Sequence, residues 1–304
     1  MPGVREARYR KGDLGKGVLM AARAVVVTGA STGIGRACAL RLSKAGWKVF
    51  AGVRKDADAE SLRAEDSRLT PLSIDVTDQA SIDAAVKTVA EEIGPRLDGL
   101  VNNAGVVVHG PLEFVTPEEM RAQLETNVIG MHATTRAFLP ALRAAQGRIV
   151  NMGSVAGRSP ALPLLGPYAA SKWAVEAITD ALRNEVRSFG IHVAVVEPGN
   201  ISTPIWNKAD EDFDRFPAEA RELYRDLLEN GRDINSLMER TGVSTEKVAK
   251  VVEHALTSRH PRLRYLVGVD ARWRTYVEAR IPHRVRDRIV AALLARGLPR
   301  FLKK

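Results

Sequence analysis

Ala24-Val25-Val26-Val27-Thr28-Gly29-Ala30-Ser31-Thr32-Gly33-Ile34-Gly35 is the stretch whose reading decides the fold. An apolar, β-branched run passes into three glycines spaced G-x-x-x-G-x-G, and a helical pattern over 34–45 follows. In a strand–turn–helix of this kind Gly29 serves the tight turn, Gly33 the close approach of a phosphate, and Gly35 the packing of the helix on the sheet. The first N–H groups of the helix and its partial positive charge then suit a pyrophosphate. No Gly-Lys-Ser/Thr follows, which separates this turn from a P-loop.

Outward from that unit the pattern repeats. Short apolar runs at 24–28, 48–53, 69–74, 99–102, 148–151, 192–196 and 265–267 alternate with helical patterns at 34–45, 57–65, 79–93, 117–144, 167–188 and 244–257. Strands apolar along their whole length, each followed by a helix, imply a parallel sheet covered on both faces. With right-handed crossovers the prediction is a single-domain, doubly wound α/β fold of Rossmann type. The expected organisation is a basic N-terminal tail at 1–21, a catalytic domain at 22–268 and a basic helical extension at 269–304. Within the domain, residues 203–242 break the alternation at the carboxyl end of the sixth strand, where such folds place a substrate lid.

Composition narrows the function classes. The chain has 304 residues and a net charge of +9, but the charge is uneven. Residues 280–304 hold eight Arg or Lys against Asp287, residues 1–20 carry a net +3, and the intervening chain is near neutral. A near-neutral core argues against nucleic-acid binding. Cys38 is the sole cysteine, so no intramolecular disulfide can form, and the six histidines lack metal-ligand spacing, so no metal is expected. There is no signal-peptide pattern and no apolar run of transmembrane length, which makes the expectation cytoplasmic. Val285, Ile289, Ala292 and Leu293 recur on one face of an Arg-rich helical pattern between Pro282 and Arg296. That face suits either peripheral membrane contact through 280–304 or packing on a protein surface.

A second phrase carries chemistry. Tyr168-Ala169-Ala170-Ser171-Lys172 follows Gly166-Pro167 and places a phenol and an ammonium one helical turn apart. A free phenol ionises near pH 10, and a neighbouring cation favours phenolate. Tyr168 is thereby a candidate acid–base catalyst, and Ser154, just past the fifth strand, a candidate to hold a substrate oxygen. At the end of the second strand, where an Asp would bind a ribose 2′-hydroxyl, stand Val53 and Arg54. A guanidinium suits a 2′-phosphate, so NADP is expected over NAD.

The motifs occur in order. Thr28–Gly35, Asp75-Val76, Asn102-Asn103-Ala104-Gly105, Asn127, Ser154, Tyr168 with Lys172, and Pro198-Gly199 followed by Thr203 together resemble the short-chain dehydrogenase/reductase superfamily, over about residues 22–268. The phrasing around 49–54 and 164–173 is nearer to its steroid and retinol dehydrogenases. The resemblance implies that Ser154 orients the substrate oxygen and that Tyr168 exchanges its proton. Lys172 would bind the nicotinamide ribose and lower the phenol's pKa, and Asn127 would hold a water of the proton relay. Gly29, Ser31, Thr32, Gly33, Ile34 and Gly35 would contact the cofactor phosphates, and Asp75 and Val76 the adenine. Asn103, Ala104 and Gly105 would line the cofactor, and Pro198, Gly199, Ile201 and Thr203 its nicotinamide end. Thr32 stands where NADP-preferring members carry a second basic residue. The implied activity is hydride transfer between NADP(H) and a secondary alcohol or ketone, in a homodimer or homotetramer. Ala161, Leu162, Leu164, Leu165 and Trp206 suit a lipophilic substrate or, equally, an ordinary core. A non-catalytic dinucleotide-binding redox sensor is the alternative.

Overall fold

The structure, a computed structural model, describes residues 22–202 and 215–296. The N-terminal tail, Thr203, Trp206 and the last eight residues lie outside that range.

Seven strands form one parallel sheet: β1 (Ala24–Val27), β2 (Lys48–Val53), β3 (Thr70–Ser73), β4 (Gly99–Asn102), β5 (Arg148–Met152), β6 (His192–Pro198) and β7 (Arg264–Val267). Their order is β3-β2-β1-β4-β5-β6-β7. The expected doubly wound sheet is therefore present, with its order reversing between β1 and β4. A crevice opens there at the carboxyl ends of those two strands, because the crossovers on either side leave to opposite faces.

Strand alternation builds two cores. Val25 and Val27 face the helices α1 (Gly33–Lys44) and α2 (Asp56–Glu65), while Ala24 and Val26 face α3 (Gln79–Ile93). The region expected as one helix over 117–144 is instead α4 (Pro117–Leu124), a π-helical turn Glu125–Gly130, and α5 (Met131–Ala145). Hydrophobic periodicity does not register one extra residue in a turn. Tyr168 and Lys172 lie in the first turns of α6 (Gly166–Glu185).

After β6 the chain forms α7 (Ala218–Leu223), α8 (Arg225–Thr241) and α9 (Thr245–Thr257). The excursion leaves and returns at one clasp: Ile201 bridges Val243, Val243 N donates to Asn200 O at 2.8 Å, and Ser202 N to Val243 O at 3.2 Å. A satellite core of Leu164, Phe216, Ala220 and Leu228 seats α7 and α8 over the loop that precedes α6. Past β7 come α10 (Val269–Tyr276) and α11 (His283–Arg296), and α11 lies against α8.

Candidate active site

The glycine turn is held from the neighbouring strand. Gly29 takes a left-handed φ of 64°, and a Cβ on it would stand 2.8 Å from Ala104 Cα. Gly35 is tighter still, since a Cβ there would collide with the carbonyl oxygen of Gly29. Gly33, expected to admit a phosphate, also has a backbone reason: its φ is 56°. Asn103 braces the turn by donating its Nδ2 to both Thr28 O and Gly29 O at 3.0 Å, and the Thr28 hydroxyl accepts the N–H groups of Asn103 and Ala104. Thr32 precedes α1 without capping it through its side chain, so the first N–H groups of that helix keep no protein partner of that kind. This cradle fits a dinucleotide's pyrophosphate on its geometry alone.

Arg54 leaves the end of β2 with a mostly exposed side chain, and its Nη1 lies 3.9 Å from Asp75 Oδ2. Asp75 accepts the backbone and side-chain donors of Thr77 at 2.9 and 2.8 Å. Burial opposes its ionisation, but the Thr77 hydrogen bonds and the Arg54 charge outweigh it and hold the carboxyl below its ordinary value. Val76 is buried beside it. Ser31 and Thr32 lie in the turn before α1 and Ile34 in its first turn, and a Cβ on Gly105 would stand 3.3 Å from Asn127 Oδ1.

Asn127 sits in the π-helical turn and is nearly fully buried. Its side chain is fully engaged: Oδ1 accepts Val106 N at 2.8 Å, and Nδ2 donates to Val106 O at 3.0 Å and to Ser171 Oγ at 3.1 Å. One helical turn earlier, the buried Gln123 holds Val108 N and Val106 O in the same manner. These two amides pin the loop that follows Gly105. The Ser171 hydroxyl donates onward to Tyr168 O at 2.7 Å, which ties the π-helical turn to α6.

Ser154 lies just past β5, buried, and accepts Ala156 N at 3.1 Å. Tyr168 and Lys172 share the face of α6 that looks toward it. Burial raises the Tyr168 phenol above its ordinary value, while a hydrogen bond from Ser154 and the positive charge of Arg274 pull it down. Lys172 Nζ donates to Met152 O at 2.7 Å and lies 5.6 Å from the Tyr168 ring centroid. Burial lowers its pKa to about 8, and Glu176 acts in the opposite sense. The arrangement brings a phenolic hydroxyl, a hydrogen-bond donor and a cation together at the carboxyl edge of the sheet, beside the glycine crevice.

The chain matches the family profile described as short chain dehydrogenase over residues 23–214. It belongs to the short-chain dehydrogenase/reductase family. Among its relatives, retinol dehydrogenase 16 of Rattus norvegicus is 38% identical over 260 residues, which cover 82% of this chain and 81% of that protein. The 17-beta-hydroxysteroid dehydrogenase type 6 of Bos taurus is 39% identical over 267 residues, with coverage of 82% and 81%. The expected nearness to retinol and steroid dehydrogenases is thus borne out. A short-chain dehydrogenase from Streptomyces avermitilis superposes with a TM-score of 0.73 at 30% identity, covering 91% of this chain and 97% of its own. One from Burkholderia cenocepacia J2315, solved in complex with NADP, gives 0.69 at 27% identity, covering 88% and 97%.

For this dehydrogenase chain, sequence reasoning missed several supporting residues. Asp270, on α10, accepts Asn200 N at 2.6 Å and fills the space a Cβ on Gly199 would need. Arg274 donates to Pro160 O and to Glu278 at 3.3 Å each. Both lie beyond residue 268, yet Asp270 braces the turn after β6 that holds Pro198, Gly199 and the buried Ile201, and Arg274 braces the loop after Ser154. A glycine next to a proline signals a turn, but nothing in the sequence says which carboxylate, 71 residues on from Gly199, will occupy it. Of the residues thought to suit a lipophilic substrate, Leu164 is committed to the satellite core.

Proposed function

We propose that this short-chain dehydrogenase interconverts a lipophilic secondary alcohol and its ketone with NADP(H). The observation that carries the reading is the convergence of Ser154, Tyr168 and Lys172 beside a glycine cradle built for a pyrophosphate. The bound nicotinamide supplies a hydride for reduction or accepts one for oxidation. In reduction Ser154 holds the carbonyl oxygen, and the Tyr168 phenol gives that oxygen its proton as the hydride reaches carbon. In oxidation the same proton returns. Lys172 binds the nicotinamide ribose and favours the phenolate electrostatically. Asn127, whose side chain is committed to Val106 and Ser171, holds a relay water in this reading. Arg54 selects the 2′-phosphate, and Ser31, Thr32, Ile34, Ala104 and Thr203 complete the cofactor contacts. Residues 203–242, of which 203–214 lie outside the described residues, serve as the substrate lid in this reading. The retinol and hydroxysteroid relatives support a lipophilic substrate.

The test is a screen of secondary alcohols and ketones followed by NADPH absorbance. Tyr168→Phe is expected to lower kcat by at least about a thousandfold, on the scale of lost acid–base catalysis, while NADPH binding by fluorescence titration stays within twofold (~2). Near wild-type turnover in that variant defeats the reading, and a chain that binds cofactor but turns over nothing supports the sensor alternative.

Peripheral membrane contact also has a specific support. On α10, Val269, Trp273 and Tyr276, with Val277 just past its end, recur at helical spacing and are all exposed, and Val285 and Ile289 on α11 are exposed as well. Arginines surround both helices, as in interfacial segments. Among the described residues no helix is long and apolar enough to cross a membrane.

A further inference from the structure

On the face of α6 that carries Tyr168 and Lys172, the next residue at the same spacing is Glu176. It is buried among ionic groups drawn from four segments. Arg264 on β7 pairs with Glu176, with the fully buried Glu197 of β6 at 2.8 Å, and with Asp180 on the next turn of α6 at 2.7 Å. Arg158, in the loop after Ser154, reaches Glu197 at 3.4 Å. From the end of β5, Gly153 makes room: a Cβ there would stand 2.8 Å from Glu176 Oε1. Among the described residues that Oε1 has no hydrogen-bond donor. A carboxylate oxygen left bare in a dry site is costly unless a cation lies near. The cation one turn away is Lys172, which has exchanged water for a single neutral carbonyl acceptor, Met152 O.

We propose that Glu176 is a positioning residue for catalysis: its buried carboxylate, held by Arg264, keeps Lys172 an ammonium in the working pH range. The inference rests on the Ser154–Tyr168–Lys172 reading above. A buried lysine alone loses its proton readily, and a neutral amine gives a phenolate no support. Burial lowers Lys172 and Glu176 is the group that raises it. Glu176 is itself raised to about 7, by burial first and by the Glu197 charge second, with Arg264 opposing both. The carboxylate is thus ionised mainly above neutrality, where the lysine needs it.

The groups facing Glu176 predict opposite signs for two variants of the full-length enzyme. In ketone reduction, kcat falls as pH rises and Lys172 and Tyr168 lose their protons. Glu176→Gln keeps the shape and removes the charge, so the alkaline limb of kcat is expected about 1 pH unit lower, the low end for a neighbouring charge. Glu197→Gln removes the competing anion and makes Glu176 more acidic, so it is expected to leave that limb in place or move it up. Glu176→Asp should restore most of the wild-type profile, and the half-buried Asp180→Asn, a full turn further from Lys172, should not shift it. A structural role alone would lower kcat or Tm without moving the limb. The inference is overturned if the Glu176→Gln limb superimposes on wild type, or if Glu197→Gln moves it down. Should Glu176→Gln not fold, the Glu197→Gln direction and the Glu176→Asp profile still decide. Loss of turnover in Tyr168→Phe separates these outcomes from failure of the underlying reading.

Discussion

Arg54 and Asp75 face each other at 3.9 Å beyond the end of β2, beside which the proposed function would put the adenosine ribose. At this exposure the pair adds little to stability, so Arg54 is free to exchange its partner for a phosphate. Charge-assisted hydrogen bonds of that type are expected to favour NADP over NAD by about ten- to hundredfold. Titrating both cofactors into wild type and Arg54→Ala checks it, and an unchanged ratio removes Arg54 from the cofactor site. The phenol at Tyr168 illustrates a different balance. The sequence pattern predicts that Lys172 lowers the phenol's pKa. In the structure burial dominates and sets the phenol above its ordinary value, and the groups that pull it down are Ser154, through a hydrogen bond, and the Arg274 charge.

At the scale of elements, Asp66 joins α1 to the turn into β3. Its carboxylate accepts the Ser43 hydroxyl at 2.8 Å and a two-pronged Arg68 guanidinium at 2.8 Å for each prong. The Arg68 hydrogen bonds come first among the causes that hold its carboxyl well below the usual carboxylate range. A carboxyl lower in the folded than in the unfolded chain adds stability that is complete above the unfolded value, near 3.9, and is lost as pH falls through the folded one. Asp66→Asn is therefore expected to lower Tm by about 2 °C at pH 7, with the difference closing only below about pH 4. Thermal melts at both pH values test this, and a gap that persists at the lower pH assigns the loss to packing. The π-helical turn is an element-scale feature of another kind. It moves Asn127 and Gln123 together onto the loop after Gly105, and a Cβ on Gly130 would meet Val76 O at 2.6 Å.

For the whole molecule, the charge distribution and the apolar stripe on α10 point the same way. Val269, the most exposed of the stripe at 83%, and Trp273, at 51%, lie near Asp270 and Arg274, which support the site. A lipophilic substrate would then leave a bilayer beside the residues that receive it. Full-length protein is expected to bind anionic vesicles at low salt, more weakly as salt rises, because the basic C-terminal segment and the apolar side chains act together. Trp273→Glu should weaken binding at least about tenfold, the size expected from placing a charge on the apolar face, and leave NADPH affinity unchanged. A wild-type chain that ignores such vesicles at low salt sinks the membrane reading. If Trp273→Glu instead changes the oligomer seen by ultracentrifugation, the stripe is a subunit contact.

The sequence alone determined the layer architecture, because β-branched strands without a polar face have to be covered on both sides. It also determined the order of the motifs, since turn glycines and an i, i+4 pair are local signals. The strands at 48–53 and 99–102 and the helix at 79–93 agree residue for residue with the structure. The tertiary structure decided what long-range partners decide. Asn102 donates to Asn151 and Thr135, and Asn151 to Thr179, in a buried chain joining β4 and β5 to α5 and α6. Asp270 caps a turn from 70 residues beyond Asn200, and Arg264 gathers three carboxylates beneath the catalytic helix. Local pattern fixes which way a side chain faces; which opposite charge or amide meets it there is set only when the strands take their order in the sheet.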